Sequence, residues 1–515
     1  MNMPVPHQTW VERVARWVAP RWNLQRVRAR IATELVQRHY EAASTGRRTQ
    51  GWNKSSADAV MATGPYAARL RATARDLVRN NPYAESILTT IVNHTVRYGI
   101  QATSTPRSAA VQRVWRSWAE TTACDADGLQ DFYGLQKLVM RTVVESGEVL
   151  VRRRLRRPED GLPLPLQLQV LEPDYLDTTR DSLGGLQGGR RIVQGVEYDA
   201  IGRRVAYWLF REHPGSMFPT TESVRVPAEN VLHIFKQGRP GQVRGVSWFA
   251  DVLLKFKDLD EFEDATLMKQ KIAACLAVIT SDVDGTGAPL GTTDTSVDPQ
   301  IDSLEPGMIL NVPPGRTIEV VQPPNVRDYA DYTQTQQRAI AAGMFVPYED
   351  MSGNYTELPF SAARMSRLSH WDHVDDWRWR MLVPMFCDPV WRWFAETAAI
   401  FGTVVGDAEW TAPPAPMIDP VNEGLAYQRN IRAGIMSYSE ALRERGYDPT
   451  QVIAEIAADF KRLDQAGIIL DSDPRQMTQA GQLQGKALPK EPAAAPVADQ
   501  MEEAARLLRL VGGGR

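Results

Sequence analysis

The densest group of chemically capable side chains is a run of carboxylates within seven positions, formed by Asp258, Asp260, Glu261, Glu263 and Asp264. Carboxylates that share one site can hold the divalent ions used by nucleases. Apolar residues recur every three or four positions through this stretch, however, which predicts a helix and spreads the carboxylates over successive faces. They cannot converge on one ion, so we predict a solvated or intersubunit acidic face.

Two other groups of side chains resemble metal sites more weakly. His370 and His373 stand at helical spacing, but the chain has only 7 histidines and shows no third ligand, so we expect them to pack or to form hydrogen bonds. Three aspartates beside Gly128 resemble a calcium loop without its closing glutamate, and a capped turn is the simpler interpretation. These aspartates are Asp125, Asp127 and Asp131. We predict no metal site.

The sequence lacks the common catalytic motifs. A phosphate-binding loop needs GxxxxGK[ST], and the nearest approach, Gly481–Lys486, has the wrong spacing and is followed by Ala487. The GxSxG nucleophile elbow and the HExxH zinc helix are also missing. We therefore predict no catalytic residue, no cofactor and no enzymatic activity.

Tryptophans and arginines are interleaved in one long stretch, a composition that suits the stacking of nucleic-acid bases. Tryptophans at helical spacing more often anchor the packing of a core, and we favour that interpretation. The residues are Trp371, Trp377, Trp379, Trp391 and Trp393 among Arg364, Arg367, Arg378, Arg380 and Arg392.

The composition and charge of the chain narrow its class. A chain of 515 residues with 43% hydrophobic residues is too long for one core, and about two to four domains are expected. Its 3 cysteines are far apart, and no apolar run approaches a membrane span, which favours a soluble protein in a reducing compartment.

The net charge of −3 is a cancellation: residues 1–120 hold 18 basic and 7 acidic residues, a net of +11, which leaves a net of −14 elsewhere. This asymmetry suggests a polyanionic partner, although an ordinary solvated basic face would explain it too.

Helices and strands alternate in blocks along the chain. In the first block the sequence pattern predicts basic amphipathic helices over 11–43 and an irregular connector over 44–65. It then predicts helices over 66–80, 83–99, 111–118 and 132–145. In the next block it predicts strands of one antiparallel sheet at 148–155, 166–171, 192–198, 205–210 and 231–235, with a hairpin turn at 199–202.

Helical periodicity then returns. A long helix is predicted to reach about Ile279, followed by a strand-and-turn module over 281–327 and a helix over 329–345. A helical stretch over 361–401 must be kinked or interrupted by Pro384 and Pro389. A proline-rich linker and helices at 421–434, 437–446 and 450–465 precede a tail predicted to be disordered except for a short helix at 501–510.

Several strings resemble those of the lambda-type portal family of tailed bacteriophages. The most specific is Arg239–Trp248, and the resemblance extends over about residues 60–400. One departure is Phe360–Arg364, where the family tends to have Tyr-Ser-Ser-x-Arg. The other strings are Arg79–Ala84, Trp115-x-x-Trp118 before Cys124-Asp125, Glu145–Glu148, Leu171–Asp174, Gly195–Asp199, Pro227–His233, Ala341–Tyr348 and Ser352–Gly353.

The resemblance implies an elongated α+β subunit, mainly α, that assembles into a ring, usually of twelve copies. Double-stranded DNA would pass through the ring without sequence specificity, past a channel loop made of Gly353, Asn354, Tyr355 and Thr356. The implied layers are a basic N-terminal segment (1–60), a wing of helices and antiparallel sheet (61–240), a first stem helix (241–280), a small α/β clip (281–327), a second stem helix (328–346), the channel loop (347–360), a long kinked wing helix (361–411), a helical crown (412–470) and a disordered tail (471–515).

The implied partners are the terminase large subunit, head-completion or adaptor proteins, and the major capsid and scaffold proteins. The implied location is the portal vertex of the virion, after assembly in the host cytoplasm, with no integral membrane segment. Two alternatives stay open at this point. One is a DNA-processing enzyme of the packaging machinery, an ATPase or a nuclease, and the other is a membrane-surface scaffold anchored through the basic N-terminal helices.

Overall fold

A computed structural model describes residues 56–182, 189–218, 222–274, 278–282, 316–320, 329–356 and 358–468, with the single positions 470 and 475. The chain divides into a small unit, Met1–Pro65 with Arg239–Gln242, and a large unit that holds the rest. In the small unit, the Arg239 guanidinium donates a hydrogen bond to the carbonyl oxygen of Ala57 at 3.3 Å. Within the described ranges, every helix falls short of the length and apolar character that a bilayer span requires.

Helices make up most of the described residues, and those between residues 360 and 400 follow one another without a break. Their bounds are α1 Ala59–Asn80, α2 Pro82–Val96, α3 Ala109–Ala119, α4 Phe132–Ser146, α5 Leu253–Ala274, α6 Tyr329–Gly343, α7 Tyr348–Ser352, α8 Phe360–Trp377, the π-helix Arg378–Cys387, α9 Asp388–Ile400, α10 Pro420–Arg432, α11 Tyr438–Glu444 and α12 Pro449–Ala466.

Local capping signals explain where several helices begin and end. The side chain of Asn81 accepts hydrogen bonds from the backbone N–H groups of the first turn of α2, and Pro82 occupies its first position. Asp131 caps α4 in the same way, and Gly147 ends that helix in the left-handed region at φ 91°. Asp125 accepts from three backbone N–H groups between residues 127 and 130, so the aspartates near Gly128 form the predicted capped turn.

The strands form small antiparallel sheets. Their bounds are β1 Gln101–Thr105, β2 Glu148–Leu155, β3 Leu166–Leu171, β4 Arg191–Val193, β5 Val196–Tyr198, β6 Arg204–Phe210, β7 Ser223–Pro227, β8 Val231–Phe235, β9 Val278–Asp282, β10 Arg316–Val320 and β11 Asp407–Thr411. A three-stranded sheet has the order β3-β2-β8, a four-stranded sheet has the order β4-β5-β6-β7, and β1 with β11 and β9 with β10 form two-stranded sheets.

One apolar core joins α2, α3 and α4 to one face of the three-stranded sheet and to the long α8–π–α9 helix. Trp115 lies at its centre, with ring centroids 4.8 Å from Trp391 and 5.0 Å from Phe394. Aromatic rings at these separations add to the stabilisation gained from burial alone. The core therefore fixes the long helix against the N-terminal helices.

Several predicted boundaries were wrong. The connector predicted over 44–65 is helical from Ala59, with Pro65 inside α1. The fixed φ angle of proline suits a helix, although its ring removes one backbone hydrogen bond and crowds the preceding turn. The helix predicted to reach Ile279 ends at Ala274 and is followed by β9. Pro384 lies within the π-helix, whose wider turn keeps α8 and α9 continuous, so of the predicted kink or interruption the interruption does not occur.

The predicted single sheet was also wrong. The five predicted strands divide between two sheets, and the predicted strand 192–198 is the hairpin of β4 and β5, which turns at Gln194 and Gly195 with positive φ angles. The turn at 199–202 does join β5 to β6 as predicted. The pairing of β1 with β11 joins residues about three hundred positions apart, so no local pattern could show it.

Some predictions lie outside the described residues. They are the helices over 11–43, most of the 281–327 module and almost all of the predicted disordered tail.

Candidate functional site

The predicted channel loop follows the short helix α7, which ends at Gly353 with φ 69°. The backbone N–H of Gly353 donates to the carbonyl oxygen of Glu349 at 2.8 Å, and that of Asn354 donates to Ser352 Oγ at 3.2 Å. A glycine at this position avoids the steric cost of the left-handed conformation. The structure therefore keeps Gly353, Asn354, Tyr355 and Thr356 together as one exposed, uncharged turn.

Two hydrogen-bonded contacts hold this turn in place. The Tyr355 hydroxyl donates to Asp350 Oδ1 at 2.9 Å, and the Arg367 guanidinium donates to the same oxygen at 3.3 Å. Burial, together with the neighbouring Asp350 carboxylate, raises the pKa of Tyr355. The side chain of Asn354 accepts from the backbone N–H of Thr356 at 3.1 Å and from its hydroxyl. The turn is therefore tied to α7 through Asp350, and Arg367 of α8 binds the same carboxylate.

The segment between α6 and α7 sets the position of the turn. Phe345 adopts φ 58°, a rare conformation for a residue other than glycine. Its carbonyl oxygen can only accept, so His370 Nδ1 carries a proton and donates to it at 2.8 Å. His370 Nε2 then accepts from His94 Nδ1 at 2.9 Å. Burial lowers the pKa of both rings, that of His94 to about 4, which keeps them neutral at pH 7.

A cation between aromatic rings supports the same segment. The Lys236 ammonium lies 4.9 Å from the Trp248 ring centroid and 5.0 Å from that of Phe345. His373 packs beside Phe345 at 4.7 Å. His370 thus forms hydrogen bonds and His373 packs, as the sequence predicted. Lys236, by contrast, carried no sequence signal for this role.

The predicted acidic residues lie on α5, which packs against α6. Phe262 lies 4.3 Å from Tyr332 near the start of α6, whereas a Cβ on Gly343 at its end would lie 2.5 Å from Val252 Cγ1. The two helices are therefore antiparallel, and Gly343 leaves room for Val252, the residue just before α5. Leu259 is buried.

The five carboxylates of α5 point in different directions. Asp258, Asp260, Glu261 and Asp264 are exposed, and Glu263 is half-buried. Asp260 Oδ1 accepts from Asn81 Nδ2 at 2.9 Å, and Glu261 lies 3.5 Å from the Lys257 ammonium. Burial raises the pKa values of Asp260 and Glu263, and neighbouring carboxylates raise them further. In the described part of the chain, no hydrogen bond or ion pair joins these five residues to the turn at 353–356.

Arg244 and Gly245, both within the string Arg239–Trp248, bind the buried carboxylate of Glu148. Glu148, 1% exposed, accepts from Arg244 Nε at 2.8 Å, from His233 Nε2 at 2.8 Å and from the backbone N–H of Gly245 at 2.7 Å. Arg204 donates to the other ring nitrogen of His233 at 3.1 Å. Burial lowers the pKa of His233 to about 4, whereas Arg244 and His233 hold the pKa of Glu148 well below its usual range despite burial.

Two glycines allow this charge cluster around Glu148 to close. A Cβ on Gly245 would lie 2.1 Å from the carbonyl oxygen of Gly147, and a Cβ on Gly147 would lie 2.3 Å from the backbone of Val246. The backbone after α4 and the string at 243–248 therefore pack directly against each other, and only glycine fits at either position.

One further group of potential metal-ligating side chains was not predicted from the sequence. Glu172, Asp174 and His213 place ligand atoms within 4.8 Å of one another. Arg75 lies 3.0 Å from Glu172 and 2.7 Å from Asp174, and Arg71 lies 3.2 Å from Asp174, so two cations already neutralise the two carboxylates. We interpret the group as a salt-bridge network between α1 and the segment after β3.

Comparison with known proteins decides the family. The sequence model of a family described as "Phage portal protein, lambda family" matches residues 45–378, which is more than half of the chain. The chain belongs to the lambda family of phage portal proteins. The family predicted from the short strings is thereby confirmed, and the function is that of a portal protein and not of an enzyme.

The individual relatives that the chain matches are also portal proteins by name. The chain is 25% identical over 378 residues to the "Probable portal protein" of Halomonas phage phiHAP-1, with 70% of this chain and 71% of the relative covered. It is 24% identical to the "Portal protein" of Escherichia phage N15 and 22% identical to "Portal protein B" of Escherichia phage lambda, and 84% of this chain is covered in each comparison, with 92% and 91% of the relatives. Portal proteins are components of the phage particle.

Among solved structures, the chain is similar to a protein of the "Neck of native GTA particle computed with C12 symmetry". The TM-score is 0.46 at 15% identity, and the comparison covers 76% of this chain and 98% of that one. The described residues of this portal protein are mainly helical with small antiparallel sheets, so the predicted α+β class is confirmed.

One prediction concerns the turn at 353–356. We expect Tyr355→Phe to free the turn from α7, because the variant keeps the ring and loses the hydroxyl that binds Asp350. Amide hydrogen exchange at residues 353–356 should accelerate, while global stability falls by no more than about 1 kcal/mol. The matched control is Tyr438→Phe, which changes another exposed tyrosine. Unchanged exchange in the Tyr355 variant would show that the hydroxyl does not hold the turn.

Proposed function

We propose that copies of this portal protein assemble into a ring, usually of twelve, and that double-stranded DNA passes through its opening. The observation that carries the proposal is the acidic middle of α5, where no basic residue interrupts Asp258–Asp264. Membership of the portal family supports it. The layers implied by the resemblance, from the wing at 61–240 to the crown at 412–470, are part of the same proposal.

A channel for DNA must contain the duplex without binding it tightly. Each lasting contact between a phosphate and Lys or Arg adds affinity and would slow translocation. Exposed carboxylates on α5 would repel phosphates, and the uncharged turn at 353–356 would contact DNA without holding it. On this proposal α5 and α6 are the stem helices, and the turn projects into the channel.

The partners follow from the same proposal. Residues 281–327 would form the clip that meets the terminase large subunit during packaging and head-completion or adaptor proteins afterwards. The outer surface would meet the major capsid and scaffold proteins during assembly in the host cytoplasm, and the finished ring would lie at the portal vertex of the virion.

Charge reversal on α5 tests the channel. We expect Asp258→Lys, Glu261→Lys and Asp264→Lys together to increase retention of duplex DNA by purified rings and to lower packaging yield, because attraction replaces repulsion. Electron microscopy would establish that rings with a central hole form, and a filter-binding assay would measure the retained DNA. The matched control reverses three exposed carboxylates of α11 and α12: Glu440, Glu455 and Asp459. Equal DNA retention and packaging in wild type and the α5 variant would contradict the proposal.

A further inference from the structure

Three arginines lie in a row on one face of the hairpin that contains β2 and β3. Arg152 pairs with Gln169 and Arg154 with Gln167 in the antiparallel register, and residues two apart in a strand share a face. Arg156 continues the row, because its backbone N–H donates to Pro165 O at 3.0 Å and its Nε donates to Gln167 Oε1 at 2.7 Å. We call Arg152, Arg154 and Arg156 the arginine row.

Arg153 lies between Arg152 and Arg154 in β2 and has a structural role. Arg153 faces the core side, where Nη1 lies 2.6 Å from Glu396 Oε2 and Nη2 donates to Thr397 Oγ1 at 3.3 Å. Its guanidinium also lies 5.8 Å from the Trp393 ring centroid. The charge of Arg153 is therefore compensated by α9, and this arginine helps to fix the sheet to the long helix.

The arginine row has no such compensation. In the described part of the chain, none of its three members forms an ion pair with a carboxylate, and all three are partly exposed. Burial lowers the pKa of Arg152, and the positive charge of Arg154 lowers it further. Three like charges at this spacing repel one another. An anion placed over the row would relieve that repulsion.

We propose that the arginine row binds the phosphate backbone of duplex DNA. Its members are spaced at about 6.8 Å along the strand, so the row can reach successive phosphates over about 14 Å. The neighbouring Gln169 is partly exposed and adds an amide group, which also binds phosphates. Leu150, the preceding residue on this face, is buried, so the arginines are the partly exposed side chains that follow it along this face of β2. This surface is distinct from the turn at 353–356 and does not depend on passage through a channel.

The test is the salt dependence of DNA binding by the full-length protein. Fluorescence anisotropy with a duplex of about 20 base pairs would compare wild type with the triple variant Arg152→Gln, Arg154→Gln, Arg156→Gln. Each phosphate contact contributes about 0.9 to the slope of log affinity against log salt, so we expect the slope to fall by about 2–3. The control variant replaces three other exposed arginines by Gln and should keep the wild-type slope: Arg113, Arg116 and Arg380.

Two further measurements separate the alternatives. If the triple variant fails to fold by circular dichroism, Arg154→Gln alone should still lower the slope by about 0.9. Sedimentation shows whether the row instead joins copies of the chain. A wild-type slope in the variants, an equal fall in the control, binding of polyglutamate in place of duplex DNA, or a changed oligomer with unchanged DNA affinity would each overturn the proposal.

Discussion

Replacement of Glu148 by Gln is expected to lower the free energy of unfolding by about 3–5 kcal/mol, among the largest effects of any single substitution in this protein. The carboxylate is 1% exposed, and the Arg244 side chain that it binds is 4% exposed. Removing the negative charge takes from the buried Arg244 guanidinium the carboxylate that it binds, which costs more than a lost surface ion pair. Denaturant titration followed by tryptophan fluorescence would measure the change.

The matched control is Glu85→Gln, which breaks the ion pair of Glu85 with Arg141 at 2.7 Å. Both side chains are about 40% exposed, so solvent screens the pair and the expected loss is below about 1 kcal/mol. Similar losses in the two variants would contradict the argument that burial makes the Glu148 cluster special.

The pH dependence gives an independent check on the same cluster. His233 has a pKa of about 4 in the folded protein against an ordinary value of 6.5, so the unfolded chain takes up a proton first as the pH falls. Stability should therefore decline from about pH 6.5 towards pH 4. The folded pKa of Glu148 is also lowered, so the stability it contributes is present above about pH 4.5 and is lost below it. The difference between wild type and Glu148→Gln should shrink below that pH, and a constant difference would contradict this assignment.

The helical end of the chain was predictable because its signals are local. Asp419, Ser437 and Asp448 cap α10, α11 and α12 through hydrogen bonds to backbone N–H groups of the first turn. Pro420 and Pro449 occupy the first helical positions. These residue types and spacings can be recognised within a few positions, and the predicted helices match the observed ones to within about two residues.

The sheets were less predictable because their partners are distant. The alternation in β2 assigns Arg153 to one face and Arg152 to the other, but only the fold shows that Glu396 compensates the former. The turn at 353–356 shows the same division. Gly353 and three polar residues predict an exposed turn. The contact of Arg367 with Asp350, which binds the turn, and the hydrogen-bonded pair of His94 and His370 depend instead on how α2, α7 and α8 pack.

The sequence allows two roles for the tryptophans of the long α8–π–α9 helix: packing in the core, or stacking on nucleic-acid bases. Trp371, Trp377, Trp391 and Trp393 are at most 8% exposed, whereas Trp379 is 47% exposed. A buried ring cannot stack on a base, so the packing interpretation is confirmed for the first four. Trp379 alone in this group presents a ring to solvent.

Trp391→Ala is accordingly expected to lower the free energy of unfolding by about 3–5 kcal/mol. The substitution removes the ring that contacts Trp115 at 4.8 Å and the hydrogen bond from Nε1 to Gly406 O at 2.9 Å. Trp379→Ala is the matched control and should change stability by less than about 0.5 kcal/mol, because most surface substitutions do. Denaturant titration of both variants measures these changes. A small effect of Trp391→Ala would contradict the aromatic core, and a loss of DNA binding in Trp379→Ala at unchanged stability would show that this ring stacks on bases.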